Sequence, residues 1–296
     1  MSTKNKTILT LAALLAALPA AAGDEVRRSL PTGDAPDVRI ISPSGDIVVT
    51  GESTNTVDIV AELANGKQRL EVSERGNEVL IEVSKTGGGW KDKGTDLFIT
   101  VPEAASVVVE AASADIDVEG VRGTLRVETA SGDVSVETFG GKLKARSTSG
   151  DVMVTGHLQE GEAWVGSTSG DVEVSELAGR LSATSVSGDV VISDGQLDRV
   201  RATATSGDIY IQGLRGKSTD IEADAVSGDI EVTLGSAFGG RIEVSTLNGR
   251  IDNCFGPKPQ RTSRYGPGRI LKFDHGTGRG RLELETVNGG IEICME

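Results

Sequence analysis

The chain has 296 residues, a formal net charge of −14, and only 3% aromatic residues beside 39 glycines. So little bulky apolar material excludes a broad globular core, and a charge of this sign and size excludes nucleic acid as a partner. The length suits one elongated domain or two compact ones.

Lys4 and Lys6 stand near the start, residues 8–18 form an apolar run, and Ala20-Ala21-Ala22 precede Gly23-Asp24. This three-part layout reads as a secretory signal peptide over residues 1–22, cleaved after Ala22. The run is too short to span a bilayer as a helix. Cleavage removes Lys4 and Lys6 and takes the mature charge to −14 − 2 = −16. No Cys lies near the cleavage point, which argues against a lipid anchor, and no later stretch is long and apolar enough to cross a membrane. The expectation is a periplasmic or secreted protein with no transmembrane segment in the mature chain.

Residues 23–102 alternate in short apolar-polar segments, among them Val38-Ile40, Ile47-Val49, Val57-Ile59, Val79-Ile81-Val83 and Leu97-Ile99-Val101. They read as an irregular N-terminal β cap and the first coils of a repeat region. From residue 103 to 254 one phrase recurs, Ser-Gly-Asp followed by Val or Ile, with its glycine at Gly132, Gly150, Gly170, Gly188, Gly207 and Gly228. It occurs earlier at Ser44-Gly45-Asp46, and variants stand at Ser113-Ala114-Asp115, Asn248-Gly249-Arg250 and Asn288-Gly289-Gly290. The steps between middle residues from Ala114 onward are 18, 18, 20, 18, 19, 21, 21 and 40. A period near twenty means stacked supersecondary units. Period-two alternation flanks each phrase, as in Leu125, Val127 and Thr129 before it and Val134 and Val136 after it. Such alternation is the signature of half-buried strands. Each unit reads as strand, corner, strand, turn, with a second turn near Gly123, Gly141, Gly161, Gly179 and Gly216. Gly supplies freedom of φ at the corner, and Ser and Asp can bond local amides. The fold class is all-β: a parallel β-solenoid of about 20 residues per coil. Seven or eight coils at ~4.8 Å would make a rod of roughly 35 Å. An antiparallel meander or sandwich is the alternative, since the corners could serve as hairpin turns.

Residues 255–281 break the period and read as a basic inserted loop, with residues 282–296 as the final coil. The insert carries Lys258, Arg261, Arg264, Arg269, Lys272, Arg279 and Arg281 against the single acid Asp274, a balance of 7 − 1 = +6. Pro257, Pro259 and Pro267 suit an exposed loop, and Phe255, Tyr265 and Phe273 are interleaved. Either the loop folds back on the acidic rod, or Lys258, Arg261, Arg264, Arg269 and Lys272 form a site for an anionic glycan, lipid headgroup or other partner. Cys254 and Cys294 each stand five residues past the glycine of an Asn-Gly corner, Gly249 and Gly289. If the insert loops out, these units are adjacent and the thiols lie ~4.8 Å apart, within disulfide reach. An exported chain would form that bond.

Catalytic signatures are absent from the sequence. His157 and His275 are far apart and fall in turn-like segments, no nucleophile elbow is present, and no His/Cys set has zinc spacing. Asp115, Asp133, Asp151, Asp171, Asp189, Asp208 and Asp229 hold one place in successive units and should form a ladder along one edge. Like charges about 5 Å apart repel by roughly 1 kcal/mol in water. Either each carboxylate caps the amides of its own corner, or the row holds weakly bound Ca²⁺. The calcium-binding nonapeptide repeat has period nine, so that pattern does not match. No resident metal and no cofactor are expected.

The reiterated Ser-Gly-Asp-Val/Ile units, the strand Asp96-Leu97-Phe98-Ile99-Thr100-Val101-Pro102 and the signal peptide together resemble the putative-adhesin family of β-strand-repeat proteins. The resemblance covers roughly residues 36–294. It implies an adhesive or envelope role through a domain of unknown function, and supplies no catalytic residues. The expected function is a non-enzymatic, adhesin-like or envelope scaffold whose repetitive β surface binds a cell-envelope polymer or a protein partner. The alternatives are a β-helix polysaccharide-active enzyme, which needs two convergent carboxylates outside the ladder, and an envelope-stress accessory protein.

Overall fold

The computed structural model describes residues 25–63, 68–85, 94–139, 141–156, 161–216 and 219–296. The signal peptide over residues 1–22 and His157 lie outside the described residues. Those described form two long sheets and no helix. The strand before each Ser-Gly-Asp phrase joins a 14-stranded sheet, the leading sheet; the strand after it joins a 13-stranded one, the following sheet. Leu125–Ser131 and Val134–Thr138 make one coil, Lys142–Ser149 and Val152–Gly156 the next. Successive coils pair in parallel and in register, Val127 against Ala145 and Val134 against Val152. The architecture is a parallel β-solenoid, and the corners are not hairpin turns.

Alternation fills the narrow interior. Leu125, Val127 and Thr129 point inward from the leading sheet and Val134, Val136 and Thr138 from the following sheet. Stacking turns each inward place into a continuous row. Val134, Val152, Val172, Val190, Ile209 and Ile230 are consecutive register partners, and none is more than 1% exposed. Small and β-branched side chains suffice because only a few face each other in any one coil.

Eleven coils stack in parallel rather than seven or eight, so the rod is longer than expected, about 48 Å for ten steps of ~4.8 Å. Stacking order also departs from chain order at both ends. The coil of Asp37–Ser44 and Ile47–Glu52 lies between that of Glu78–Lys85 and Thr95–Pro102 and that of Ser106–Ser113 and Ile116–Val121. Antiparallel strands then close this end: Gln68–Arg75 on Glu78–Lys85, and Thr56–Leu63 with Glu25–Pro31 on Thr95–Pro102. These strands cover the end of the coil stack, where an open solenoid would expose its core and a parallel edge.

The other end repeats the device. Gly280–Asn288 and Ile291–Met295, the last coil in the chain, wedge between Asp220–Ser227 with Ile230–Leu234 and Gly240–Asn248 with Ile251–Asn253. The final coil is therefore next to last in the stack. Nor is the basic insert a loop throughout: Arg269–His275 lies antiparallel on Gly240–Asn248, and Gln260–Arg261 pairs with it. Residues 276–279 then carry the chain back over the start of Gly240–Asn248. The crossing is tight, since a Cβ on Gly239 would sit 2.6 Å from the Gly278 nitrogen.

Cys254 follows Asn253, the register partner of Ile293, and is disulfide-bonded to Cys294 with Cα atoms 4.9 Å apart. The bond joins the wedged coil to the end coil. Mass spectrometry of the non-reduced protein should find no alkylatable thiol, and replacing both cysteines by Ser should cost about 3 kcal/mol of stability. Two reactive thiols in the folded protein would contradict the adjacency of these coils.

Candidate binding face

The corner ladder is built between coils, not within them. Each Asp Oδ1 accepts the backbone N–H of the residue at the same place one coil on: Asp115 from Asp133 at 2.9 Å, Asp133 from Asp151 at 2.8 Å, Asp151 from Asp171 at 2.8 Å and Asp171 from Asp189 at 2.8 Å. Asp189 and Asp208 continue to Asp208 and Asp229, and Asp229 ends on the Gly290 amide at 2.6 Å. Capping of a residue's own corner is therefore replaced by a stitch to the next coil. An N–H dipole at each carboxylate offsets the repulsion along the row. Toward the capped N-terminal end the same stitch recurs once more, the Asp96 carboxylate accepting the Asp46 amide at 3.0 Å. Inside the same corner, Ser147, Ser167 and Ser185 donate to the carbonyls of Gly132, Gly150 and Gly170 in the preceding coil at 2.8, 2.8 and 2.9 Å.

The two outer faces differ in charge. The eleven parallel strands of the following sheet, from Thr95–Pro102 to Ile251–Asn253, contain no Lys or Arg. Every basic residue of the parallel stack's strands lies on the leading sheet. There Arg126 and Lys144 both bond Glu128, at 3.0 and 2.8 Å, one to each carboxylate oxygen. Arg201 pairs with Glu222, Arg281 with Glu283, and Arg241 and Lys272 with Glu243. Exposed pairs of this kind stabilise little singly.

Four acids should shape the pH dependence of stability. Burial raises the Asp46 carboxyl, helped by Asp96 and Asp115; burial likewise raises Asp224, helped by Glu222 and Glu285. Burial also pushes Glu128 upward, but hydrogen bonds from Lys144 and Arg126 outweigh it and hold it low. Glu243 is lowered by the Lys272 hydrogen bond against desolvation, with Arg241 adding to the effect. The folded protein protonates Asp46 and Asp224 before the unfolded chain does, so their penalty fades as pH falls through the raised values. Glu128 and Glu243 stabilise above the unfolded value and lose that contribution as pH falls through their lowered ones. The melting temperature should rise slightly as pH falls from 7 through the raised values of Asp46 and Asp224, then fall as pH drops through the lowered values of Glu128 and Glu243. A steady fall from pH 7 downward would contradict this.

On the leading face, register aligns three outward places from three neighbouring coils. Lys144, Trp164 and Ser182 make one row and Arg146, Gly166 and Thr184 the next. Together with Thr168 and Val186 they surround an open hollow of about 510 Å³ over Gly166. Trp164 is 41% exposed on this flat surface. Glu128 faces Arg146 across the register, but Lys144 and Arg126 occupy both its oxygens. Arg146 makes no ion pair among the described residues. The sequence reading missed this group. Its signal was a Trp followed two residues later by Gly, in strand places that the adjoining units fill with the polar Lys144 and Arg146 and Ser182 and Thr184.

The basic insert divides in two. Arg269 and Lys272 belong to the capping strand, where Lys272 reaches Glu243 at 3.0 Å and Arg269 turns one guanidinium nitrogen inward without a hydrogen-bond partner. Lys258, Arg261 and Arg264 stay exposed. The Arg264 guanidinium lies 5.6 Å from the Tyr265 ring centroid, and Tyr265 is 90% exposed. His275 ends the capping strand and packs edge-on against Phe255 at 5.1 Å, rather than standing in a loop.

These features define an end-capped parallel β-solenoid with one acidic and one mixed-charge flat face. The chain belongs to the Toastrack DUF4097 family, whose profile matches residues 35–249. The basic hairpin and the wedged coil lie beyond that match. No curated protein matches the chain. Among solved structures, a putative adhesin from Bacteroides fragilis shares the fold, at 14% identity and a TM-score of 0.50, covering 93% of this chain and 98% of that one. A putative adhesin from Parabacteroides distasonis is 11% identical at a TM-score of 0.46, covering 92% and 97%.

Proposed function

We propose that this protein is an exported, adhesin-like envelope scaffold that binds an extended polymer or a protein partner on the outer face of its leading sheet, without catalysis. The observation that carries the reading is the exposed Trp164 on a flat, in-register face that also concentrates the basic residues of the strands. Aromatic and Arg side chains are the usual anchors of binding surfaces. The disulfide fits an oxidising compartment, in agreement with the signal peptide read in residues 1–22. The exposed Lys258, Arg261 and Arg264 supply a second, anion-seeking contact at one end of the rod, steadied by the strand that carries Arg269 and Lys272.

A polysaccharide-active enzyme finds a foothold in Asp224 and Glu285, register neighbours outside the ladder. They lie on an open sheet face, and the raised carboxyl of Asp224 follows from burial and its acidic neighbours. The test is fractionation of the producing cell followed by crosslinking. The mature protein should appear in the envelope fraction, disulfide intact, attached to a polymer or protein. Recovery from the cytosol with free thiols, or turnover of a polysaccharide abolished by Asp224→Asn, would overturn the proposal.

A further inference from the structure

We infer that the hollow over Gly166 binds a carboxylated saccharide unit, a uronic acid within an acidic glycan. The inference rests on the polymer-binding reading of the leading face and names its ligand class. Glycine at the centre of an outward row is costly, because it weakens a strand and packs nothing. The backbone favours glycine only through one tight approach: Gly166 lacks a positive φ, and a Cβ would meet the Thr184 carbonyl oxygen at 3.2 Å, which a shift of a few tenths of an ångström relieves. A side chain there would fill the hollow, so the glycine keeps it open. Its size, about 510 Å³, falls in the range of small-molecule sites.

Three kinds of group meet around that space. Trp164 offers an exposed indole, on which the apolar face of a sugar ring can lie while its hydroxyls stay wet. Ser182, Thr184 and Thr168 offer hydroxyls on two sides. Arg146 offers a guanidinium with no carboxylate of its own, because Glu128 is already engaged at both oxygens. A planar guanidinium matches a carboxylate bidentately. A neutral sugar would leave Arg146 unused, and an inorganic anion would leave Trp164 unused. A carboxylate carried on a pyranose ring uses all three. The acidic following face repels such a ligand, so it is directed to the leading face.

The experiment uses the full mature chain in a Trp90→Phe background, so that tryptophan emission reports Trp164. Oligogalacturonate, cello-oligosaccharide of equal length and sodium sulfate are titrated in turn at constant ionic strength. Oligogalacturonate should change the emission saturably and bind at least about 10-fold more tightly than the neutral oligomer. Sulfate should not compete. Arg146→Gln should weaken oligogalacturonate binding about 10- to 100-fold, to the level of the neutral oligomer. Gly166→Val should abolish both with circular dichroism unchanged, and Met153→Ser, on the outward side of the following sheet, should change neither. Equal binding of acidic and neutral oligomers, indifferent to Arg146→Gln, would overturn the acidic class and leave polymer binding standing. No oligosaccharide binding, with Trp164→Ala still attached to the envelope in cells, would overturn the hollow alone. Failure of the parent itself to attach to the envelope would sink the broader reading.

Discussion

Replacing Val190 by Asp should cost about 5 kcal/mol, more than most single substitutions. Val190 is fully buried, between Val172 and Ile209 in the interior row. A carboxylate there has apolar neighbours above and below, and no cation or amide among its row neighbours. It must either stay neutral or drag water into a closed core. Because each coil is the template for the next, the damage passes to both neighbours. Most domains are stable by only about 5–15 kcal/mol, so the variant should be largely unfolded at 37 °C by circular dichroism. A variant that melts with the parent would remove Val190 from the interior.

Gly207→Ala should be nearly as damaging, about 4 kcal/mol, although it adds one methyl group at a half-exposed corner. A Cβ at Gly207 would sit 2.0 Å from the Gly188 carbonyl oxygen one coil back. Relief requires the coils to separate at the corner. That breaks the bond from the Asp208 amide to the Asp189 carboxylate and the bond from the Gly188 amide to the Ser206 carbonyl. Gly76→Ala is the control: its φ is +66° but nothing lies within 4 Å of its Cβ. It should cost no more than about 1–2 kcal/mol of backbone strain. Urea unfolding separates the two cases, and equal small losses would show that close stacking is not what the corner glycines serve.

The solenoid, its interior row and the cysteine pair were legible because each repeats a place in the unit. Stacking converts a repeated place in the sequence into a line in space. Stacking order was not legible, because the repeat specifies a coil and not its neighbours. Gly240–Asn248 and Gly280–Asn288 share Gly-Arg at the start and Thr-x-Asn at the end, so either could have been the terminal coil. The long connection between them decides the matter: it lays Arg269–His275 on the outside of the first and returns to the inside. The ladder's partners were misassigned for a related reason. A carboxylate at a corner is as close to the next coil's amide as to its own, and the sequence shows only the latter as a neighbour. The hollow over Gly166 escaped notice because it departs from the repeat instead of continuing it.

The central claim is that the leading face, and not the acidic following face, makes the functional contact. Co-sedimentation of the purified mature protein with isolated insoluble envelope polymer tests it most directly. The comparison is between the parent, a Trp164→Ala and Arg146→Ala double variant, and a Met153→Ser variant on the opposite face, where Met153 is somewhat more exposed than Trp164. The account predicts that the parent and the Met153 variant sediment with the polymer while the double variant stays in solution. Equal sedimentation of all three, or loss only in the Met153 variant, would contradict it.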